Sequence, residues 1–206
     1  PGGLISDAEL FGNLKKDRSA MFLEGINIIL KIWSTEAPYK IKGDYWDVTT
    51  ENTLIEDIGQ GYMTKPFQKP HPPIIVTAVA PYSKGISEAA ARGWKPISAD
   101  IIMPIWVKTH WEKYVEGCKK GKLMPSKDDW RIAKTVFVAE DLKKAKEYAL
   151  GPNSPYVFYF KQLFKKFVAL GKLDLFKSSK NQPDSEITLE KVCEELIIWG
   201  TPEKVF

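Results

Sequence analysis

The stretch IIVTAVAPYSKGISEAAARGW, residues 74–94, decides the fold. Ile74 to Ala80 is a run of mostly β-branched or small residues, the composition of a buried strand. Pro81-Tyr82-Ser83 supplies a turn, and Ile86, Ala89, Ala90 and Gly93 then recur at helical spacing. Ser83 stands where a helix N-cap belongs and Gly93 where a C-terminal cap belongs.

The same alternation continues downstream. A short strand is expected at 96–99, and Pro104 opens a helix whose buried face is Val107, Trp111, Tyr114, Val115 and Cys118. Residues 131–139 read as a strand, and Asp141 caps a helix to Ala149. An aromatic-rich helix covers 155–170, and 171–187 is polar connector. Thr188 caps a helix to about Glu195, LIIWG is a last strand, and Thr201-Pro202 begins another helix. Upstream, residues 1–17 read as an irregular connector, Asp17 caps a helix from Arg18 to Trp33, and 39–73 form an excursion with a Lys-Gly-Asp turn. Strand and helix alternating about four times predict a parallel sheet with crossover helices. An eight-stranded barrel needs roughly 250 residues, so this α/β chain reads as about the C-terminal half of a TIM (β/α)8 barrel. It is expected to be one partial domain over 1–206, a fragment cut at both ends, because it lacks an initiating Met and stops as a helix begins.

A net charge of +4 gives no reason to expect a nucleic-acid partner. No apolar run approaches the roughly 20 residues of a membrane span, and no signal-peptide pattern is present. Cys118 and Cys193 form no metal or redox motif and fit reduced thiols of a cytoplasmic protein. With only two histidines and no ligand-spaced carboxylates, no metal site is expected. Lysines interleave with Phe and Tyr over 156–180, a pattern that basic binding surfaces share. Phe160, Phe164, Phe167 and Val168 at helical spacing are equally those of an outer helix with a solvated face.

The turn Ala80-Pro81-Tyr82-Ser83 has two readings. A helix N-terminus following a buried strand is a natural seat for phosphate, with Ser83 and Tyr82 able to donate hydroxyls. It is equally an ordinary serine-capped connection. Gly2-Gly3-Leu4 would let backbone approach a ligand closely, or would be a plain turn. His71, between prolines, reads as a loop residue and His110 as a packed one. Trp46, Trp94, Trp106, Trp111 and Trp199 fall near strand ends and loops, where they either wall a pocket or pack the core.

Several segments taken together resemble the bacterial luciferase-like flavin-dependent monooxygenases. They are GGLISDAELFG, RSAMFLEGINIILKIWSTEAPYKIKGDYWDV, KPFQKPHPPIIVTAVAPYSKGISEAAARGW and GTPEKV, in order along nearly the whole chain. Within the family the chain is most similar to the limonene monooxygenase-like branch. The resemblance implies an enzyme that uses reduced FMN and O2 to oxygenate a small, apolar organic substrate. The flavin is then supplied by a separate reductase that spends NADH or NADPH, and a homodimer is possible. It implies FMN-phosphate contacts at Ala80, Pro81, Tyr82 and Ser83 and backbone contacts at Gly2, Gly3 and Leu4. The family's catalytic residues belong to the other barrel half, so no catalytic residue is assigned. Two other functions share the fold: F420-dependent hydride transfer, and a non-catalytic flavin-binding or partner subunit.

Overall fold

The computed structural model describes residues 5–206, so Gly2, Gly3 and Leu4 lie outside the described residues. The chain forms two compact units that divide between Pro72 and Pro73.

In the first unit, α1 (Ile5–Leu10) buries Ala8 and ends before Gly12, whose φ of 65° is left-handed. This short helix falls within the expected irregular connector; six residues carry too little periodicity to reveal it. Next, α2 (Arg18–Ser34) starts where expected, with the Asp17 carboxylate accepting from the Ser19 and Ala20 N–H groups, both at 3.0 Å. Its C-terminal carbonyls at Ile32 and Thr35 are capped by Lys65 Nζ, 2.6 Å from the first. A small antiparallel hairpin, β1 (Lys40–Ile41) and β2 (Val48–Thr49), carries the expected turn. The turn is held from outside. Glu24 of α2 accepts N–H bonds from Asp44 (2.9 Å), Tyr45 (3.0 Å) and Trp46 (3.0 Å). Partial desolvation opposes its ionisation, but the three donors together outweigh it and hold the carboxyl below its ordinary range.

The second unit is the alternating one. It comprises β3 (Ile75–Ala78), α3 (Lys84–Ala91), β4 (Lys95–Ser98), α4 (Pro104–Lys120), β5 (Arg131–Ile132), β6 (Thr135–Val138), α5 (Leu142–Leu150), α6 (Pro155–Ala169), α7 (Leu189–Leu196), β7 (Ile197–Gly200) and α8 (Pro202–Val205). Parallel pairing runs β3–β4–β5, with Ala78 opposite Ser98 and Ser98 opposite Ile132. It resumes as β6–β7, with Thr135 opposite Ile197. The expected strand 131–139 is therefore two pieces. Its first half pairs with β4 and its second with β7, and the ladder breaks around Ala133-Lys134. At the break the Lys134 side chain donates from Nζ to the Ile102 carbonyl at 3.3 Å.

Helix boundaries follow their caps. Asp141 accepts from the Lys144 N–H at 2.7 Å, and Thr188 from Lys191 at 3.3 Å. Ser154, an N-cap the sequence pattern did not single out, accepts from Tyr156 and Val157. Thr201 occupies an N-cap position, but its side chain caps no backbone N–H and instead bonds the Glu203 side chain. The main core gathers Phe160, Phe167, Phe176, Val192 and Leu196. A second, smaller core under β3 gathers Ala78, Ile86, Ala90, Tyr114 and Cys118. Val168, expected on the buried face of α6, is 50% exposed.

The strand read as buried is buried on one side only. Ala78 is 4% exposed, but Ile75 and Val79 are 45% and 40% exposed. Ile132, Val136 and Ile198 are likewise exposed on neighbouring strands. The helices cover one face of the sheet, and alternation sends every second side chain the other way. The α/β reading with parallel strands holds; among the described residues the strands do not close into a barrel.

Candidate functional site

The chain leaves β3 through Ala80 and Pro81, turns at Tyr82, and enters α3 at Lys84. Tyr82 has φ 52°, in the left-handed region that side chains other than Gly, Asn and Asp seldom occupy. Two consecutive residues of α4 hold it there. The Tyr82 N–H donates to Thr109 Oγ1 at 3.0 Å, and the Thr109 hydroxyl donates to the Trp106 carbonyl at 2.6 Å. His110, with 0% exposure, places Nε2 2.8 Å from the Ala80 carbonyl oxygen. A carbonyl only accepts, so Nε2 carries the proton. Nδ1 then accepts from the Ser98 hydroxyl at 2.8 Å, and Ser98 Oγ accepts from Trp130 Nε1–H at 3.0 Å. The chain of donors is satisfied by a neutral imidazole. Burial holds the His110 pKa below its ordinary value, against a smaller opposing effect of the Ala80 carbonyl.

Ser83 is at the N-cap position of α3, but its side chain does not cap the helix as the sequence pattern suggested. Its backbone, at φ −54° and ψ 112°, does not bring the hydroxyl onto the first-turn amides. The approach to those amides is open at Gly85, where an added Cβ would meet only Ser83 Oγ, at 3.5 Å. Thus the Tyr82 amide is committed to Thr109, while the Ser83 hydroxyl is not spent on capping.

Beside this turn lies a cavity of about 340 Å³. Ala80, Pro81 and Tyr82 form one wall, Trp106 of α4 the second, and Asp174, Leu175, Lys177, Ser179 and Lys180 of the connector after α6 the third. The Tyr82 and Trp106 rings lie 6.0 Å apart at 56°. Trp106 Nε1–H donates to the Lys177 carbonyl at 2.6 Å, tying connector to helix. Lys177 Nζ pairs with Asp174 (2.5 Å) and Asp184 (2.8 Å), and these carboxylates hold its pKa above the ordinary lysine range. Lys180 Nζ sits 5.1 Å from the centre of the Tyr82 ring.

Three of the four expected residues in the turn, Ala80, Pro81 and Tyr82, therefore wall one cavity, and Ser83 follows directly. The connector residues and Thr109 were not legible as site residues. A polar stretch reads as linker, and a threonine inside a helix carries no spacing signal. His110 is packed, as expected, but also fixes the turn. His71, read as a loop residue, donates Nδ1–H to the Pro72 carbonyl at 2.7 Å, with its ring beside Trp33. Of the tryptophans, Trp106 walls this cavity, while Trp94 is core. In the first unit Trp46, with Phe11, Met21 and Phe22, lines a separate cavity of about 310 Å³. Both cysteines are buried and unpaired, and burial pushes the Cys193 thiol up to about 11, which leaves it protonated. Among the described residues no group of His, Cys, Asp and Glu could hold a metal ion, and no helix is long and apolar enough to cross a membrane.

No family model and no curated protein matches the chain. Solved structures do. The FMN complex of the oxygenating constituent of 3,6-diketocamphane monooxygenase, a type II Baeyer-Villiger enzyme from Pseudomonas putida, is similar at TM-score 0.78 and 24% identity. That match covers 99% of this chain and 56% of the other. A monooxygenase from Streptomyces bottropensis is similar at TM-score 0.64 and 18% identity, over 99% of this chain and 53% of the other. An F420-dependent secondary alcohol dehydrogenase, solved with an F420–acetone adduct, is similar at TM-score 0.55 and 19% identity, over 86% and 47%. The chain thus has the fold of these oxidoreductases over about half of their length.

Proposed function

We propose that this chain is part of a luciferase-like, FMN-dependent monooxygenase, and that the turn Ala80–Ser83 seats the flavin phosphate. The observation that carries this is the rigid turn at the end of β3. Its backbone is fixed by Thr109 and His110, and it borders a cavity with two aromatic rings and two lysines. The residues present fit the phosphate end of FMN. The Ser83 hydroxyl is not used as a cap, and Gly85 leaves the first turn of α3 open to close approach. One fold neighbour is the oxygenating constituent of a monooxygenase in complex with FMN, which supports both the cofactor and a separate reductase.

The chain's own tasks in such a reaction are binding and exclusion. Thr109 and His110 keep the turn preorganised, so the ligand meets a backbone already in place. Tyr82 and Trp106 present apolar ring surface that displaces water. Reduced FMN, when bound, would supply the electrons that activate O2, one oxygen atom passing to a small apolar substrate and the other leaving as water. The backbone contacts that the family resemblance implies at Gly2, Gly3 and Leu4 fall outside the described residues. NADH or NADPH enters this scheme only through the reductase.

The test is a fluorescence titration of the protein with FMN and riboflavin, oxidised and, under anaerobic conditions, reduced. Preference for FMN of about tenfold or more, lost in Ser83→Ala, supports the seat. Equal affinity for the two flavins removes it. The similarity to an F420-dependent dehydrogenase favours a second reading, hydride transfer with F420. Binding of F420 with no oxygen-dependent turnover would select it over the first.

A further inference from the structure

We infer that Lys180 is the cationic partner of the phosphate monoester seated at the Ala80–Ser83 turn, so that the connector after α6 selects phosphorylated flavin over riboflavin. This deepens the proposed function and rests on it.

The argument is a charge balance around one cavity. Lys177 lines it, but its ammonium is held by both Asp174 and Asp184. Lys180 is exposed and lines the same cavity, and among the described residues its ammonium forms no ion pair and lies over the face of the Tyr82 ring. A ring face holds an ammonium by roughly 0.5–1 kcal/mol at an exposed site, less than a charge-assisted hydrogen bond. The cation is therefore parked beside the turn by a contact that a dianion would outcompete.

A separate observation points to the same charge. The first turn of α3 contains Lys84 and no acidic residue. Cations are unfavourable at that end of a helix and anions favourable. The first turn of α3 thus adds a cation and no carboxylate beside the cavity, where Asp174 and Asp184 are already engaged by Lys177. A phosphate monoester would supply two negative charges, accept from the Ser83 hydroxyl, and draw Lys180 off the ring. Riboflavin, lacking phosphate, would gain nothing from Lys180.

The experiment is a titration of FMN and riboflavin into the wild-type protein, Lys180→Met, Lys180→Arg and Lys172→Met. Lys172→Met lies on the same connector and controls for general charge. The expected result is a loss of about tenfold in FMN affinity for Lys180→Met, with riboflavin unchanged. Lys180→Arg should keep most of the affinity, and Lys172→Met should match wild type. FMN binding should also weaken with added salt in wild type and less steeply in Lys180→Met. If Lys180→Met keeps the wild-type preference for FMN, the lysine is not the partner although the phosphate seat stands. If Lys180→Met weakens both flavins equally, the side chain acts by packing on Tyr82 and the inference is overturned. If the wild-type protein does not distinguish the flavins, the seat itself falls and Lys180 with it.

Discussion

Tyr82 is the residue on which the site turns. A left-handed backbone at a bulky side chain persists only where neighbours over-determine it, and here the Thr109 hydroxyl and the His110 imidazole do so. Asn tolerates this conformation and a β-branched residue does not. Tyr82→Val should therefore be about 1–2 kcal/mol less stable than Tyr82→Asn in urea denaturation, and equal midpoints for the pair would contradict the strain. His110 makes a pH prediction with a definite sign. Its folded-state pKa lies below the 6.5 of the unfolded chain, so the unfolded state takes up the proton first. Its contribution is fully present above pH 6.5 and is lost as pH falls toward the folded pKa. The carboxyl groups with depressed pKa values, Glu24, Glu116 and Glu203, lose theirs only below the ordinary carboxylate value of 4.5. Between about pH 5 and 6.5 wild-type stability should slope downward with acid, and His110→Gln, which retains a donor for Ala80, should flatten that slope. A parallel slope in the variant would remove His110 from the argument. In the sequence, Ala80 to Ser83 stood out because strand, turn and helix signals abut there; Thr109 and His110 did not, because their partners are some 30 positions away.

The elements meet most closely where α4 crosses α3. At Gly117 an added Cβ would strike the Ser87 carbonyl and come within 2.6 Å of Ala90 Cβ. At Gly121 it would strike the Ala91 carbonyl. Ser87 closes the seam by donating to Glu116 at 3.1 Å and accepting from Lys120 at 3.0 Å. Lys113, Lys120 and Ser87, in that order, hold the Glu116 carboxyl down to about 2. Gly117→Ala must push the helices apart, and should lower stability by roughly 1–3 kcal/mol despite the better helix propensity of alanine. An unchanged melting temperature would show the seam to be slack. Since α4 also carries Thr109 and His110, the same substitution should weaken flavin binding, whereas the cap variant Asp141→Ala should cost about 1 kcal/mol and leave binding alone. Helices were the legible elements, because caps and the 3.6-residue period are local. The break in the strand over 131–138 was not legible: it reflects which neighbour lies beside each half, which no local pattern encodes.

For the molecule as a whole, the bare side of the sheet is the main consequence. Ile75, Ile132, Val136 and Ile198 are each at least 40% exposed on strands of the second unit. Exposed apolar sheet surface with unpaired outer strands promotes association. The chain on its own should show concentration-dependent association by light scattering, lessened in the double variant Ile75→Thr/Ile198→Thr, which keeps β-branching but adds hydroxyls. A monodisperse monomer at high concentration would argue that this face is covered. Alternation along 74–200 made the parallel α/β architecture readable, but burial of a strand on both sides depends on what packs there, and a run of β-branched residues is the same either way. The bond from the Trp106 indole to the Lys177 carbonyl also gives the protein an internal optical gauge. An indole held in that bond emits differently from one released to water, so the colour of Trp106 fluorescence, read with the other tryptophans replaced by phenylalanine, would report in real time whether the connector is down on its helix or lifted from it.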